Sequence, residues 1–279
     1  MTPADAYHWC ETQIRTHDPD RYLACVFAPQ AKRASLFALY AFQHEIAKTA
    51  ERVSEPILGA IRLEWWRETV DGLYAGQTRQ HEVALALAET IAAHDLPRGL
   101  FNILIETREH DLEERPFADM PALLSYAEAS SSPVMMLALR VLGAGNAHDE
   151  TAREAGIAYG ITGLLRAFPY WASRRRLRLP QDHLLALGID PEDIFAGEAG
   201  MSLAPLLAEM TQLARAHLAR AGEARVPRAV LPAVLPAAVL KLYLSVIAAK
   251  DFDPFRHAPD IPRFLRQWAM LRVYARGGL

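Results

Sequence analysis

The sequence predicts an all-α protein forming one domain over residues 1–279, and three observations predict it. Apolar residues recur at three- and four-residue intervals almost throughout, the repeat that lines one face of a helix. Alternating, strand-like patterns are nearly absent. Prolines and glycines fall mostly between the periodic stretches, where helices start and stop. A hydrophobic content of 51% over 279 residues is ample for a sizeable core. No repeat, low-complexity tract or linker divides the chain.

The elements follow in order. Thr2 caps a first helix with Pro3 at its first position, running to Arg15. Asp18 to Phe27 is a short helix. Pro29 opens a longer one, with Ala34, Leu36, Phe37, Leu39, Tyr40, Phe42 and Ile46 as a wide apolar stripe. Glu55-Pro56 starts the next, ending at Gly76. Its Trp65 and Trp66 point about 100° apart on a helix, so one is core and the other packs at a helix interface. An alanine-rich helix spans His81 to His94. Another opens at Pro97 and ends near Glu114. The stretch from Met120 or Pro121 to Leu142 is helical, with a bend expected where Ser130, Ser131, Ser132 and Pro133 interrupt it. Asp149 to Tyr170 is helical, with Pro169 expected to kink or end it. Gln181–Leu187 and Pro191–Phe195 are short turns of helix. Met201–Ala221, Pro236–Ala249 and Ile261–Tyr274 complete the chain.

Val226–Ala249 is long enough for a bilayer. Arg228, Lys241, Pro232 and Pro236 favour a buried helix from Pro236 instead. A net charge of -3 gives no electrostatic case for nucleic acid. Cys10 and Cys25 have neither metal nor disulfide spacing, which fits a reducing compartment. The acidic, polar start reads as neither signal nor transit peptide.

Three motifs bear on chemistry. His44-Glu45-Ile46-Ala47-Lys48 has Lys where a zinc helix needs its second His, so it carries no metal. Glu106, His110 and Asp111 lie within about a turn and are candidates for a metal or acid/base site, but Glu–His pairs of this spacing are common on helix surfaces and the surface reading is favoured. Arg166, Arg174, Arg175, Arg176 and Arg178 crowd into thirteen residues at a helix C-terminal end. A solvated basic loop is the simpler reading of that run on spacing alone; an anion site is the alternative.

Several stretches together resemble the squalene/phytoene synthase family: YLACVFAPQAKRASLFALYAFQHEI (22–46), IRLEWWRETVDGLYAG (61–76), ETREHDL (106–112), the serine-interrupted helix (126–138) and GLLRAFPYWASRRRLRLP (163–180). The resemblance implies a single isoprenoid (terpenoid) synthase-type helical bundle around a central cavity. In the family's enzymes, two aspartate-rich motifs facing each other hold Mg²⁺ for a prenyl diphosphate. Here the first motif's aspartate positions fall on Ala47, Lys48 and Glu51, and the second's on Ala167 and Trp171. An asparagine of the family falls on Gly163. One carboxylate of five is kept, so the resemblance implies that no catalytic residue, metal or cofactor is expected.

The stretches 41–55, 165–180 and 250–255 are similar to a non-catalytic branch of the family that helps assemble respiratory complex I (NADH:quinone oxidoreductase). The expectation is a pseudoenzyme partnering a complex I subunit or assembly intermediate, with an isoprenoid or lipid as ligand. Arg33, Tyr40, Lys48, Arg166, Arg174 and Arg176 are the residues expected to meet that ligand. The setting expected is a bacterial cytoplasm, with peripheral contact at the inner membrane left open. The alternative is a working head-to-head prenyltransferase using Mg²⁺ with Glu45, Glu51, Glu106 or Asp111 as substitute carboxylates. A third reading is a membrane-peripheral adaptor with a filled core.

Overall fold

The computed structural model describes residues 2–113 and 115–279. Among them the architecture is helical, with no strand and an isolated bridge between Phe117 and Pro180. The helices are α1 (Pro3–His17), α2 (Pro19–Val26), α3 (Gln30–Ala47), α4 (Thr49–Arg52), α5 (Pro56–Tyr74), α6 (Glu82–His94), α7 (Arg98–Thr107), α8 (Met120–Val141), α9 (Asp149–Ala172), α10 (Gln181–Ala186), α11 (Pro191–Ala196), α12 (Ala204–Ala221), α13 (Leu240–Ile247) and α14 (Arg263–Arg276).

Local chemistry explains the starts. Thr2 and Asp5 form a reciprocal capping box on α1. The Asp18 carboxylate accepts from the Arg21 N–H and caps α2. Prolines occupy the first turns of α5, α8 and α12, where their missing N–H has no partner to lose.

The two longest helices, α8 and α9, lie against each other at the centre. A Cβ added at Gly156 would sit 2.5 Å from Ser132 Cα, and one at Gly160 would sit 2.8 Å from Ala127 Cα. Glycine at these two positions is what lets the backbones approach. Ser132 Oγ then donates to Arg153 O across the pair at 2.9 Å. Beside this pair, aromatic rings from α3, α5 and α7 pack together within a largely aliphatic core. Phe42 meets Trp66 and Phe101 edge-on, each at 5.4 Å. Trp66 is buried, whereas Trp65 is half-buried over His81, the division expected of adjacent helical positions.

Several expected boundaries are corrected. Helix α7 ends at Thr107, and His110–Leu112 is a separate 3₁₀ turn. Arg108 and Asp111 turn inward there, and the expected end at Glu114 lies outside the described residues. Helix α8 runs unbroken through Ser130–Pro133. Helix α9 continues three residues past Pro169, since one proline near a C-terminus removes only one hydrogen bond. The expected helix over 236–249 is α-helical as α13 over Leu240–Ile247, but its first turn is 3₁₀, Leu235–Val239, preceded by another at Leu231–Ala233. Pro232 and Pro236 withhold the N–H groups a regular helix needs. Among the described residues, no helix is long and apolar enough to cross a membrane.

Candidate functional site

A cavity of about 300 Å³ opens where the C-terminal ends of α3 and α9 face each other, small among ligand pockets. Ala47, Lys48 and Glu51 line it from the α3–α4 side. Ala167, Trp171 and Gly163 line it from α9. Residues more than a hundred positions apart in the chain are thus brought to one space. Its remaining wall is polar and drawn from the start of α2, from α3, from the turn after α7 and from α8: Asp18, Arg21, Gln43, Arg108, Asp111 and Tyr126 among others, closed by Arg178.

The charges here are arranged in pairs. Lys48 Nζ sits 2.7 Å from Glu51 Oε2. Arg21, buried, pairs with Asp18 at 3.2 Å. Asp111 is shared between Arg108 at 3.2 Å and Arg178 at 3.3 Å, and Tyr126 donates to its Oδ1 at 2.6 Å. Four guanidinium or ammonium groups (Arg21, Lys48, Arg108, Arg178) therefore face three carboxylates (Asp18, Glu51, Asp111), a surplus of one positive charge. Burial pushes the Tyr126 phenol up, and the Asp111 carboxylate adds to this. Burial opposes the Arg108 charge, but Tyr126 and Asp111 hold its pKa above the usual value. Burial, followed by neighbouring His17 and Arg52, lowers the His44 imidazole to about 4. It is neutral at pH 7 and stacks on His17 at 5.0 Å. Arg108 Nε and Gln43 Oε1 are buried without hydrogen-bond partners.

The arginine run divides between roles. Arg178, 2% exposed, donates to the carbonyls of His110 and Asp111. Arg176 donates to Asp111 O at 2.6 Å. Together they clasp the 3₁₀ turn that presents Asp111. Arg175 pairs with Glu192 at the surface. Arg174 lies over the Tyr170 ring, whose hydroxyl donates to Glu51 at 3.3 Å. Neither the solvated loop nor the single anion site describes all of them.

Of the six residues expected to meet a ligand, Lys48 lines the cavity. Arg33 instead donates to the carbonyls of Ala28 and Val26 at the end of α2. Arg166 covers the Tyr243 ring at 3.9 Å, away from the cavity. Arg174 and Arg176 do not line the cavity. Tyr40 is fully buried, its hydroxyl without a partner, beneath Arg21 at 5.2 Å from its ring. Sequence reasoning missed Arg21 and Arg108 as cavity residues, and weighed Arg178 only as one of the arginine run. One local signal pointed to the last: Arg178 stands between two leucines, Leu177 and Leu179.

Of the four carboxylates considered as substitutes, Glu51 and Asp111 line the cavity, each already paired with a cation, whereas Glu45 and Glu106 lie outside it. Glu45 is held by Arg52 at 2.7 Å and Arg62 at 2.6 Å. Burial acts against its charge, but these hydrogen bonds keep its carboxyl below the ordinary value. Glu106 lines a separate surface cleft with His110 and Phe117. Among the described residues, no three His, Cys, Asp or Glu side chains converge to hold a metal.

A helical bundle of this topology, closing on one polar cavity, is the terpenoid synthase type of fold. A dehydrosqualene synthase crystallised with a ligand superposes with a TM-score of 0.82 over 98% of this chain and 97% of its own, at 16% identity. The squalene/phytoene synthase family model matches residues 14–268, and the chain belongs to that family. It is 33% identical over 258 residues to the Bos taurus NADH dehydrogenase (ubiquinone) complex I assembly factor 6, covering 91% of this chain and 77% of the relative. A more distant relative is the 15-cis-phytoene synthase of Synechococcus elongatus, 24% identical over 93% of this chain and 89% of that enzyme.

Proposed function

We propose that this chain is a non-catalytic member of the squalene/phytoene synthase family that assists assembly of respiratory complex I and holds an anionic ligand, an isoprenoid or other lipid with a charged head, without metal. One observation supports the reading. The five positions onto which the family resemblance carries the aspartates all line the cavity, yet offer two methyl groups, an indole, an ammonium and one carboxylate. The residues present do not fit Mg²⁺, which takes hard oxygen ligands, usually carboxylates and phosphates. The single carboxylate, Glu51, is already engaged by Lys48 on both oxygens at 2.8 and 2.7 Å. Arginine forks suit a phosphate directly, and the surplus cation favours an anion.

The assembly role rests on the relatives named as complex I assembly factors. The prenyltransferase reading draws support from the phytoene synthase relatives, but it needs metal ligands that these side chains do not supply. Deletion of the gene tests the proposal. Loss of assembled NADH:quinone oxidoreductase with unchanged polyisoprenoids is expected. Unchanged oxidoreductase with depleted squalene or carotenoid precursors would overturn it.

A further inference from the structure

Helix α14 is amphipathic on the side that faces away from the protein. Its inner edge is seated by buried Met270, by Tyr274 against Phe27 at 4.9 Å, and by Arg266 on buried Asp20 at 2.7 Å. Its outer edge is left bare. Phe264 is 65% exposed, Trp268 58% and Leu271 45%. The spacing 264, 268, 271 places the three on one narrow stripe. Scattered apolar residues are ordinary on a surface, whereas an aligned aromatic stripe on one helix marks a contact site.

The flanks of the stripe are cationic. Arg272 and Arg276 share one groove with Lys241. Arg263 lies across the helix with Arg15. Residues 261–279 contain four arginines and no acid, in a chain whose net charge is -3. Protein partners select by shape and by paired charges. A row of Phe, Trp and Leu between basic margins instead matches the boundary of an anionic bilayer, where rings enter the acyl edge and guanidinium groups meet phosphates.

We infer that the outer face of α14 is a docking surface for an anionic lipid bilayer, independent of the cavity and of its reading. Occupancy would leave α14 folded and in place, because its seating contacts lie on the opposite edge.

Co-sedimentation of the full chain with phosphatidylcholine vesicles and with vesicles containing phosphatidylglycerol tests this. Wild type should bind the anionic vesicles at least tenfold more tightly, with binding weakened by added salt. The triple variant Phe264→Ser/Trp268→Ser/Leu271→Ser should lose binding at least tenfold. Arg272→Gln/Arg276→Gln should lose the preference for anionic lipid. Ile57→Ser/Ile61→Ser, which removes exposed apolar residues on α5, should bind as wild type does. Circular dichroism should be unchanged in all of them, since every substituted side chain is exposed. Absence of vesicle binding by wild type, equal binding by the α14 triple variant, or loss through the α5 variant would each overturn the inference.

Discussion

Asp111→Asn probes the cavity's electrostatics with opposite effects on stability and binding. Asp111 is 5% exposed and is the shared counter-ion of Arg108 and Arg178. Removing one partner of a buried ion pair costs about 3–5 kcal/mol, because a buried charge is left uncompensated. Asparagine keeps an oxygen to accept from Tyr126, so a loss of about 3 kcal/mol is expected. For a chain of this size that lowers the melting midpoint by roughly 6–12 °C. The same change adds one positive charge to the cavity. At about 8 Å and an effective dielectric of about 20, one unit charge is worth about 2 kcal/mol to an anion. After screening, inorganic pyrophosphate should bind roughly tenfold more tightly in EDTA. Differential scanning calorimetry reads the first effect and isothermal titration the second. A variant as stable as wild type, or one that binds pyrophosphate no better, would refute the charge arrangement argued for this site.

Two further changes follow from the same geometry. His44 ionises near 4 in the fold against an ordinary 6.5. The unfolded chain therefore takes up the proton first as pH falls, and stability is lost from about pH 6.5 towards 4. The full difference would be about 3 kcal/mol, discounted to about 1 kcal/mol because the ring is partly open to solvent. His44→Gln should flatten that limb of the urea-unfolding pH profile, and an unchanged limb would count against it. Gly160→Ala places a Cβ 2.6 Å from Ala127 O. Overpacking of about 1–3 kcal/mol should outweigh the gain of about 1 kcal/mol in helix propensity. Gly163→Ala meets nothing within 4 Å and should be neutral or stabilising. Equal melting shifts for the two variants would show that the α8–α9 approach is looser than described.

The helices were legible because their signals are local. Thr2, Asp18 and the prolines at residues 3, 29 and 56 each act within a turn of the boundary they set. Pro169 and Pro236 misled in opposite directions for a related reason. The effect of a proline depends on how many helical bonds remain after it, which the local residues do not state. The facing of Ala47, Lys48 and Glu51 with Ala167 and Trp171 was reachable only through the family resemblance, since nothing in spacing joins α3 to α9. The arginines were the hardest to place. Arg174 and Arg178 belong to one basic run, yet one stacks on Tyr170 in solvent while the other is sealed against the turn at His110–Leu112. That difference is set by where the turn lies in space.

The most direct test incubates the purified protein with farnesyl or geranylgeranyl diphosphate and Mg²⁺ and assays the extract for hydrocarbon by mass spectrometry. With Lys48 closed on Glu51 and alanine at residues 47 and 167, no squalene or phytoene should form at any magnesium concentration. Magnesium-dependent appearance of either product would contradict the account.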